Sequence, residues 1–264
     1  MKRVRAKKYL GQHFLNDLSI ARRIVDSLQI PPVNIIEVGS GMGVLTQFLL
    51  ARNELNLRFI EIDHESIVYL NKNFPEIEDK LLEKDFLKIN INDIFDTPCS
   101  VIGNFPYNIS TQIFFKVFNN RNSVLSLVGM VQREVGERIA SGHGSKKYGI
   151  LSVLLQSFYN VEYLFTVDEH VFTPPPKVKS GVIRMTRNDI NKLECNEELF
   201  LRVVKAAFNQ RRKTLRNSLS RLPYNLDSIR HLPLFGLRPE QISVIGFQEL
   251  TSLIQNQPLI EQID

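Results

Sequence analysis

Cysteine is scarce: the 264-residue chain has two, Cys99 and Cys195. They stand far apart with no ligand-like neighbours, which argues against a disulfide scaffold or a zinc site. A reducing compartment is expected, with the cytoplasm as the default location. Long hydrophobic runs are missing, and the N-terminal "MKRVRAKKYLGQHF" has no apolar stretch after its charges. Neither a membrane span nor a secretory signal is therefore expected. The five histidines, at positions 13, 64, 143, 170 and 231, show no metal-ligand spacing, and no metal is expected. There is no G-x-S-x-G elbow for a hydrolase nucleophile. The glycine-rich "GSGMG" lacks the Lys-Ser/Thr of a phosphate loop. Internal repeats and low-complexity tracts are also absent.

Acidic residues are missing from one stretch in particular. Between Leu199 and Leu226 there are seven Lys/Arg (Arg202, Lys205, Arg211, Arg212, Lys213, Arg216, Arg221) and no Asp or Glu. Five more Lys/Arg fall in the first eight residues, within a net charge of only +5. Clustered positive charge of this kind suits a polyanion, because neutralised phosphates release condensed counterions. A solvated helix face is the plainer alternative.

What is present is an alternation of apolar runs and helical patterns. "VNIIEV" (33–38), "LRFIEI" (57–62), "KLLEKD", "CSVIGN" and "SVLSLVGMV" read as strands, each followed by a helical or turn segment. "VEYLFTV" and "SGVIRMT" read as two further strands, close enough to pair at the sheet edge. Strands apolar on both faces that alternate with helices predict an α/β fold with a largely parallel sheet. After Arg187 the pattern turns polar, then helical with Pro and Gly punctuation. The expected division is a catalytic domain over 1–187, with residues 1–8 as a mobile basic arm, and a small all-helical domain over 188–264.

The strand ends carry the chemistry. "EVGSGMGVLT" (37–46) takes a strand into Gly39 and Gly41 and then a helix. Glycines there let the backbone approach a ligand at the positive end of a helix dipole. The acidic residue before a G-x-G-x-G loop fits a nucleoside site for S-adenosylmethionine better than a dinucleotide site. Glu61 ends the next strand, where a carboxylate can accept ribose hydroxyls; its neighbour Asp63 is expected to cap the following helix. Asp85 ends the third strand, placed to accept from an adenine amine. Asn104 ends the fourth, opening "NFPY". The lone pair of an exocyclic amine is conjugated with its ring and is a poor nucleophile. Two acceptors gripping its N–H bonds, the Asn104 side-chain oxygen and the Pro106 carbonyl, would favour a pyramidal nitrogen. Proline fixes that carbonyl, and Tyr107 offers a stacking face.

These blocks resemble the ribosomal RNA adenine dimethyltransferases. "KKYLGQHFLND" (7–17), "EVGSGMGVLT", "EID", "KDF", "GNFPYNIST", "YGILSV" (148–153), "FTPPPKVKSGV" (172–182) and "FNQRRKTLRNSL" (208–219) match that family's blocks in order across nearly the whole chain. The resemblance implies a class I, Rossmann-like S-adenosylmethionine-dependent methyltransferase sheet. It implies cofactor contacts at His13, Leu15, Gly39, Gly41, Glu61, Asp85 and Asn104. It also implies that Asn104, Pro106 and Tyr107 hold the target adenine, with Phe172 closing over its other face. The substrate implied is two adjacent adenines near the 3′ end of small-subunit rRNA in an immature particle, dimethylated at N6 by a monomer. Two positions depart from the family: it often has Asn where this chain has His13, and usually Leu or Ile where it has Phe105.

If "LFLRVVKAAFNQRRKTLRNSL" is one helix, Arg202, Lys205, Arg212 or Lys213, and Arg216 recur on one face, with Arg211 beside them. That would be a phosphate-binding face, which positions RNA and leaves site choice to RNA shape. Three rivals are a methylase of large-subunit rRNA, a non-catalytic assembly factor and a DNA amino-methyltransferase. The long C-terminal part argues against the first and the intact strand-end series against the second. Phe105-Pro106, in place of two prolines, argues against the third.

Overall fold

The computed structural model describes residues 4–29 and 31–260. Residues 1–3 of the expected basic arm, residue 30 and residues 261–264 lie outside the described residues. In chain order the elements are β1 (Phe14–Leu15), α1 (Leu18–Asp26), β2 (Asn34–Val38), α2 (Thr46–Leu50), β3 (Asn56–Glu61), α3 (His64–Asn73), β4 (Leu81–Glu83), β5 (Cys99–Asn104), α4 (Ser110–Asn119), β6 (Val124–Gln132), α5 (Arg133–Ile139), α6 (Ile150–Gln156), β7 (Tyr159–Val167), β8 (Phe172–Thr173), β9 (Ser180–Arg187), α7 (Glu197–Asn209), α8 (Leu215–Ser218) and α9 (Val244–Gln255).

Seven strands form one sheet in the order β4-β3-β2-β5-β6-β9-β7, and β1 pairs with β8 separately. From β4 to β6 every pairing is parallel, while β9 runs antiparallel to both neighbours. The sequence explains this layering. All five residues of β2 are buried, as are Cys99 to Gly103 of β5, so neither face tolerates water and helices must cover both. In α4 the buried residues are Ser110, Ile113, Phe114, Val117 and Phe118, the spacing of one helical face. Asp17 starts α1 by accepting from Ser19 N at 2.8 Å and Ile20 N at 3.1 Å, which satisfies amides that have no partner within the helix. The chain leaves β2 toward β3 and β4 on one side and returns to β5 on the other. The strand order therefore reverses between β2 and β5, where open α/β sheets bind ligands.

The chain divides into two compact units, residues 1–137 with Tyr159–Arg187, and Arg138–Phe158 with residues 188–264. The stretch 138–158, expected in the catalytic domain, thus belongs with the C-terminal helices. Leu151 to Leu155 of α6 are all buried, and a helix apolar on every side must be covered on every side. Within this unit the Tyr148 ring meets Phe208 of α7 edge-on at 5.9 Å, and Phe208 stacks on Phe247 of α9 at 5.8 Å.

The basic segment is not one helix. α7 stops at Asn209, Gln210 leaves the helical region at φ −120° and ψ 46°, and Lys213 N closes a turn onto Gln210 O at 2.8 Å. On a straight helix Arg211 would lie only about 40° from Ala207, on the buried stripe, and Leu219 about 120° away from it. The turn reverses this: Leu215 and Leu219 are fully buried, and Leu215 N donates to Leu237 O at 2.8 Å.

Candidate active site

Gly39, Gly41 and Gly43 all adopt left-handed φ values of 74°, 55° and 77°. Such values favour glycine, and at Gly43 a Cβ would also lie 2.3 Å from the Phe74 ring. The loop is tied to β3 twice: Gly39 N donates to Ile60 O, and Gly41 N to Glu61 Oε2, both at 2.8 Å. The other oxygen, Glu61 Oε1, accepts from Ile62 N at 2.8 Å and Asp63 N at 2.9 Å. With three backbone donors in place, the greater remaining accepting capacity lies on Oε2. Burial pushes the Glu61 carboxyl above its usual pKa, against the backbone N–H bonds that favour the anion. Behind it Glu37 is 1 % exposed and accepts from Thr46 Oγ1 at 2.7 Å. Burial raises the Glu37 carboxyl to about 8.

Asp63 stands at the start of α3 as expected, but its side chain caps no backbone amide. It is buried and pairs with Lys7 Nζ, while Ser66 Oγ donates to it at 2.9 Å. Burial works against the Asp63 anion, yet the bonds from Lys7, Ser66 and Gln12 hold its carboxyl below the usual range. Lys7 thus anchors the segment Tyr9–Leu15, which lines the same cavity as the strand ends. Asp85 also lines that cavity, and its Oδ1 accepts from Leu87 N at 2.9 Å.

At the end of β5, Asn104 Nδ2 donates to the backbone carbonyl of His13 at 2.9 Å. A carbonyl can only accept, so the amide orientation is settled and Oδ1 is its accepting end. The Pro106 carbonyl accepts from Ile109 N at 3.2 Å, which fixes its direction and leaves a second lone pair. Tyr107 is half-buried, its hydroxyl 2.6 Å from Ser180 Oγ and its ring 5.3 Å from the His13 ring at 34°. Burial raises the Tyr107 phenol above its usual pKa, offset by the Ser180 bond. His13 Nδ1 lies 2.7 Å from the Pro174 carbonyl, so that nitrogen carries the proton.

A cavity of about 300 Å³ collects these groups: His13, Leu15, Gly39, Gly41, Glu61, Asp85, Asn104, Pro106 and Tyr107 all line it. That volume is at the lower end for small-molecule sites, about 300–1,000 Å³. Phe172 is not brought there. It is 3 % exposed and pairs in register with Leu15 in the hydrophobic core, so the expected stacking face is turned inward. Sequence reasoning missed Tyr9, Ile62 and Phe86 among the lining residues. Tyr9 and Ile62 are 75 % and 51 % exposed; an apolar residue inside the acidic "EID" was the available signal.

None of the basic residues between Leu199 and Leu226 lines this cavity. Arg202, Lys205, Arg212, Lys213 and Arg216 are exposed. Arg211 instead turns inward, donating to Lys146 O at 2.5 Å and Ser145 O at 3.4 Å beside Glu240. Among the described residues no helix is long and apolar enough to cross a membrane.

The family described as ribosomal RNA adenine dimethylase matches residues 3–227. The chain is 55% identical to ribosomal RNA small subunit methyltransferase A of Phocaeicola vulgatus over 96% of this chain and 90% of that protein. It is also 55% identical to the protein of the same name from Porphyromonas gingivalis, over 97% of this chain and all of the relative. Among solved structures, a dimethyladenosine transferase from Plasmodium falciparum superposes with a TM-score of 0.75 at 24% identity, over 90% of this chain and 96% of that one. The 23S rRNA methyltransferase ErmE gives 0.68 at 22% identity, over 90% and 99%. These likenesses show the class I methyltransferase fold. With a family match running through most of its length and relatives above half identical, the chain belongs to the ribosomal RNA adenine dimethylases and is a methyltransferase.

Proposed function

We propose that this enzyme transfers methyl groups from S-adenosylmethionine to the N6 amines of two adjacent adenines near the 3′ end of small-subunit rRNA. The observation that carries the reading is the orientation of Asn104. With Nδ2 committed to His13, its Oδ1 and the Pro106 carbonyl are two oriented acceptors on residues that line the cavity. Gripping both N–H bonds of an amine is what such a pair can do. The small-subunit rRNA follows from the relatives, whose name specifies it across the full length of alignment.

The residues present fit the cofactor. Left-handed glycines leave room for close approach, Glu61 Oε2 can take a ribose hydroxyl, and Asp85 can accept from an adenine amine. When bound, the cofactor supplies an electrophilic methyl group on a sulfonium. The chain's own work is positioning: Asn104 and Pro106 orient the amine, Tyr107 gives the base a surface, and the apolar walls exclude water. The target adenine must leave its stack to reach them. Arg202, Lys205, Arg212, Lys213 and Arg216 offer phosphates a positive surface. The enzyme acts in the cytoplasm as a monomer on an immature small-subunit particle, with the helical unit binding RNA.

The test is transfer from labelled S-adenosylmethionine to immature small subunits, large-subunit rRNA or DNA, followed by nucleoside analysis. Dimethyladenosine is expected from the small-subunit sample, and its absence there overturns the proposal. Asn104→Ala should bind RNA yet lose most transfer.

A further inference from the structure

Phe105 sits between the two residues assigned to the amine. Its ring is 1 % exposed. It occupies a slot made by two glycines that face each other in register, Gly103 on β5 and Gly129 on β6. A Cβ on Gly129 would lie 2.3 Å from Phe105 Cε2, and one on Gly103 would lie 2.7 Å from Cε1 and 2.4 Å from Val38 O. Real Cβ atoms do not approach that closely, so the ring fills the space two missing side chains leave. Phe114 of α4 meets it edge-on at 6.2 Å and 83°. The Phe105 amide donates to Met130 O at 3.0 Å, carrying the β6 pairing one residue beyond Asn104.

We infer that Phe105 is a positioning residue for methyl transfer: its ring, matched in size to the Gly103–Gly129 slot, fixes the spacing of the Asn104 and Pro106 acceptors. The inference rests on the reading of those two groups as the amine's partners. Backbone pairing holds Phe105 from one side and the slot from the other, so the residues on either side of it cannot shift independently. A smaller side chain leaves a void next to Gly129 and lets the loop relax. A methyl group at Gly129 then refills that void.

The experiment compares Phe105→Leu, Gly129→Ala, the double variant and Asn104→Ala in single-turnover transfer to immature small subunits, with cofactor affinity and thermal midpoint measured alongside. Phe105→Leu is expected to lower the transfer rate about tenfold, since small misplacements can cost up to ~100-fold. Its affinity for S-adenosylhomocysteine stays within about twofold, because the cofactor contacts assigned to the glycine loop and Glu61 are untouched. The double variant recovers most of the lost rate. If Phe105→Leu transfers at the wild-type rate, or adding Gly129→Ala to it restores nothing, the inference is overturned. If the rate follows the thermal midpoint across the series, Phe105 is only a packing residue and the inference falls as well. Should Gly129→Ala alone not fold, Phe105→Leu and the double variant still decide. Asn104→Ala separates the two levels: full activity there refutes the amine reading itself. Loss of activity in Asn104→Ala with an unaffected Phe105→Leu refutes only the role of Phe105.

Discussion

Glu61→Gln separates a structural from a cofactor-binding role for this carboxylate, because the two roles predict changes of different size. Glu61 is 4 % exposed and receives three backbone N–H bonds, two on Oε1 and one on Oε2. Glutamine keeps the shape but replaces one oxygen with a donor. The less costly orientation keeps its oxygen toward Ile62 and Asp63 and turns its amide toward Gly41 N, leaving that buried donor unsatisfied. An orphaned donor costs about 1–3 kcal/mol. Burial already disfavours the Glu61 anion, so removing the charge offsets part of that cost and the low end of the range applies. At about 2–4 °C per kcal/mol for a chain of this size, the thermal midpoint should fall by only a few degrees. The cofactor meets a larger change. A charge-assisted bond to a ribose hydroxyl contributes about 1.5–3 kcal/mol, so affinity should weaken roughly 10- to 150-fold. Calorimetric titration with S-adenosylhomocysteine and scanning calorimetry on the same preparations measure the two effects. A lowered midpoint with affinity within twofold of wild type would refute the cofactor role and leave Glu61 as a brace between β3 and the glycine loop.

Burial raises the Glu37 carboxyl from 4.5 to about 8. The stability this group contributes is full below 4.5, declines as pH rises and is lost above about 8, on the order of a few kcal/mol. Glu37→Gln, which can still accept from Thr46, should remove that decline and be the more stable protein at pH 9 in urea titrations; parallel pH profiles would contradict this. Arg211→Ala removes two hydrogen bonds to loop carbonyls and should destabilise the protein by about 1–3 kcal/mol. Arg212→Ala should leave stability unchanged while reducing the slope of log affinity against log salt for RNA by about 0.7–0.9; filter binding across a salt series would show whether the two arginines divide in this way. Lys7→Ala removes the ammonium tie to Asp63 and leaves the Tyr9–Leu15 segment only the 3.4 Å bond from Gln12 Nε2 to that carboxylate, so cofactor binding should weaken several-fold in equilibrium dialysis, and unchanged binding would show that the anchor does not shape the cavity.

The strand-end series was legible because each member sits beside its own strand. Gly39, Glu61, Asp85 and Asn104 follow apolar runs that announce themselves locally, and the order reversal between β2 and β5 brings them together. The features that escaped depend on partners distant in the chain. Apolar residues recur from Leu199 through Phe208 to Leu215, so a reading of local spacing extends the helix through Arg211, although Leu219 then falls off the buried stripe. The break becomes intelligible only once Ser145, Lys146 and Glu240 are seen to claim that arginine. Phe172 reads as an aromatic in a proline-rich loop, but its register with Leu15 sends it into the core. Phe105 is the sharpest case. Its size makes sense only against Gly129 on the next strand, a residue that in sequence looks like a weakness in an otherwise apolar run. A glycine inside a strand marks a place where something approaches closely, and here what approaches is the ring between the two proposed amine acceptors. The spacing of the site is thus set partly by an absent side chain on a strand that contributes no group to the cavity lining.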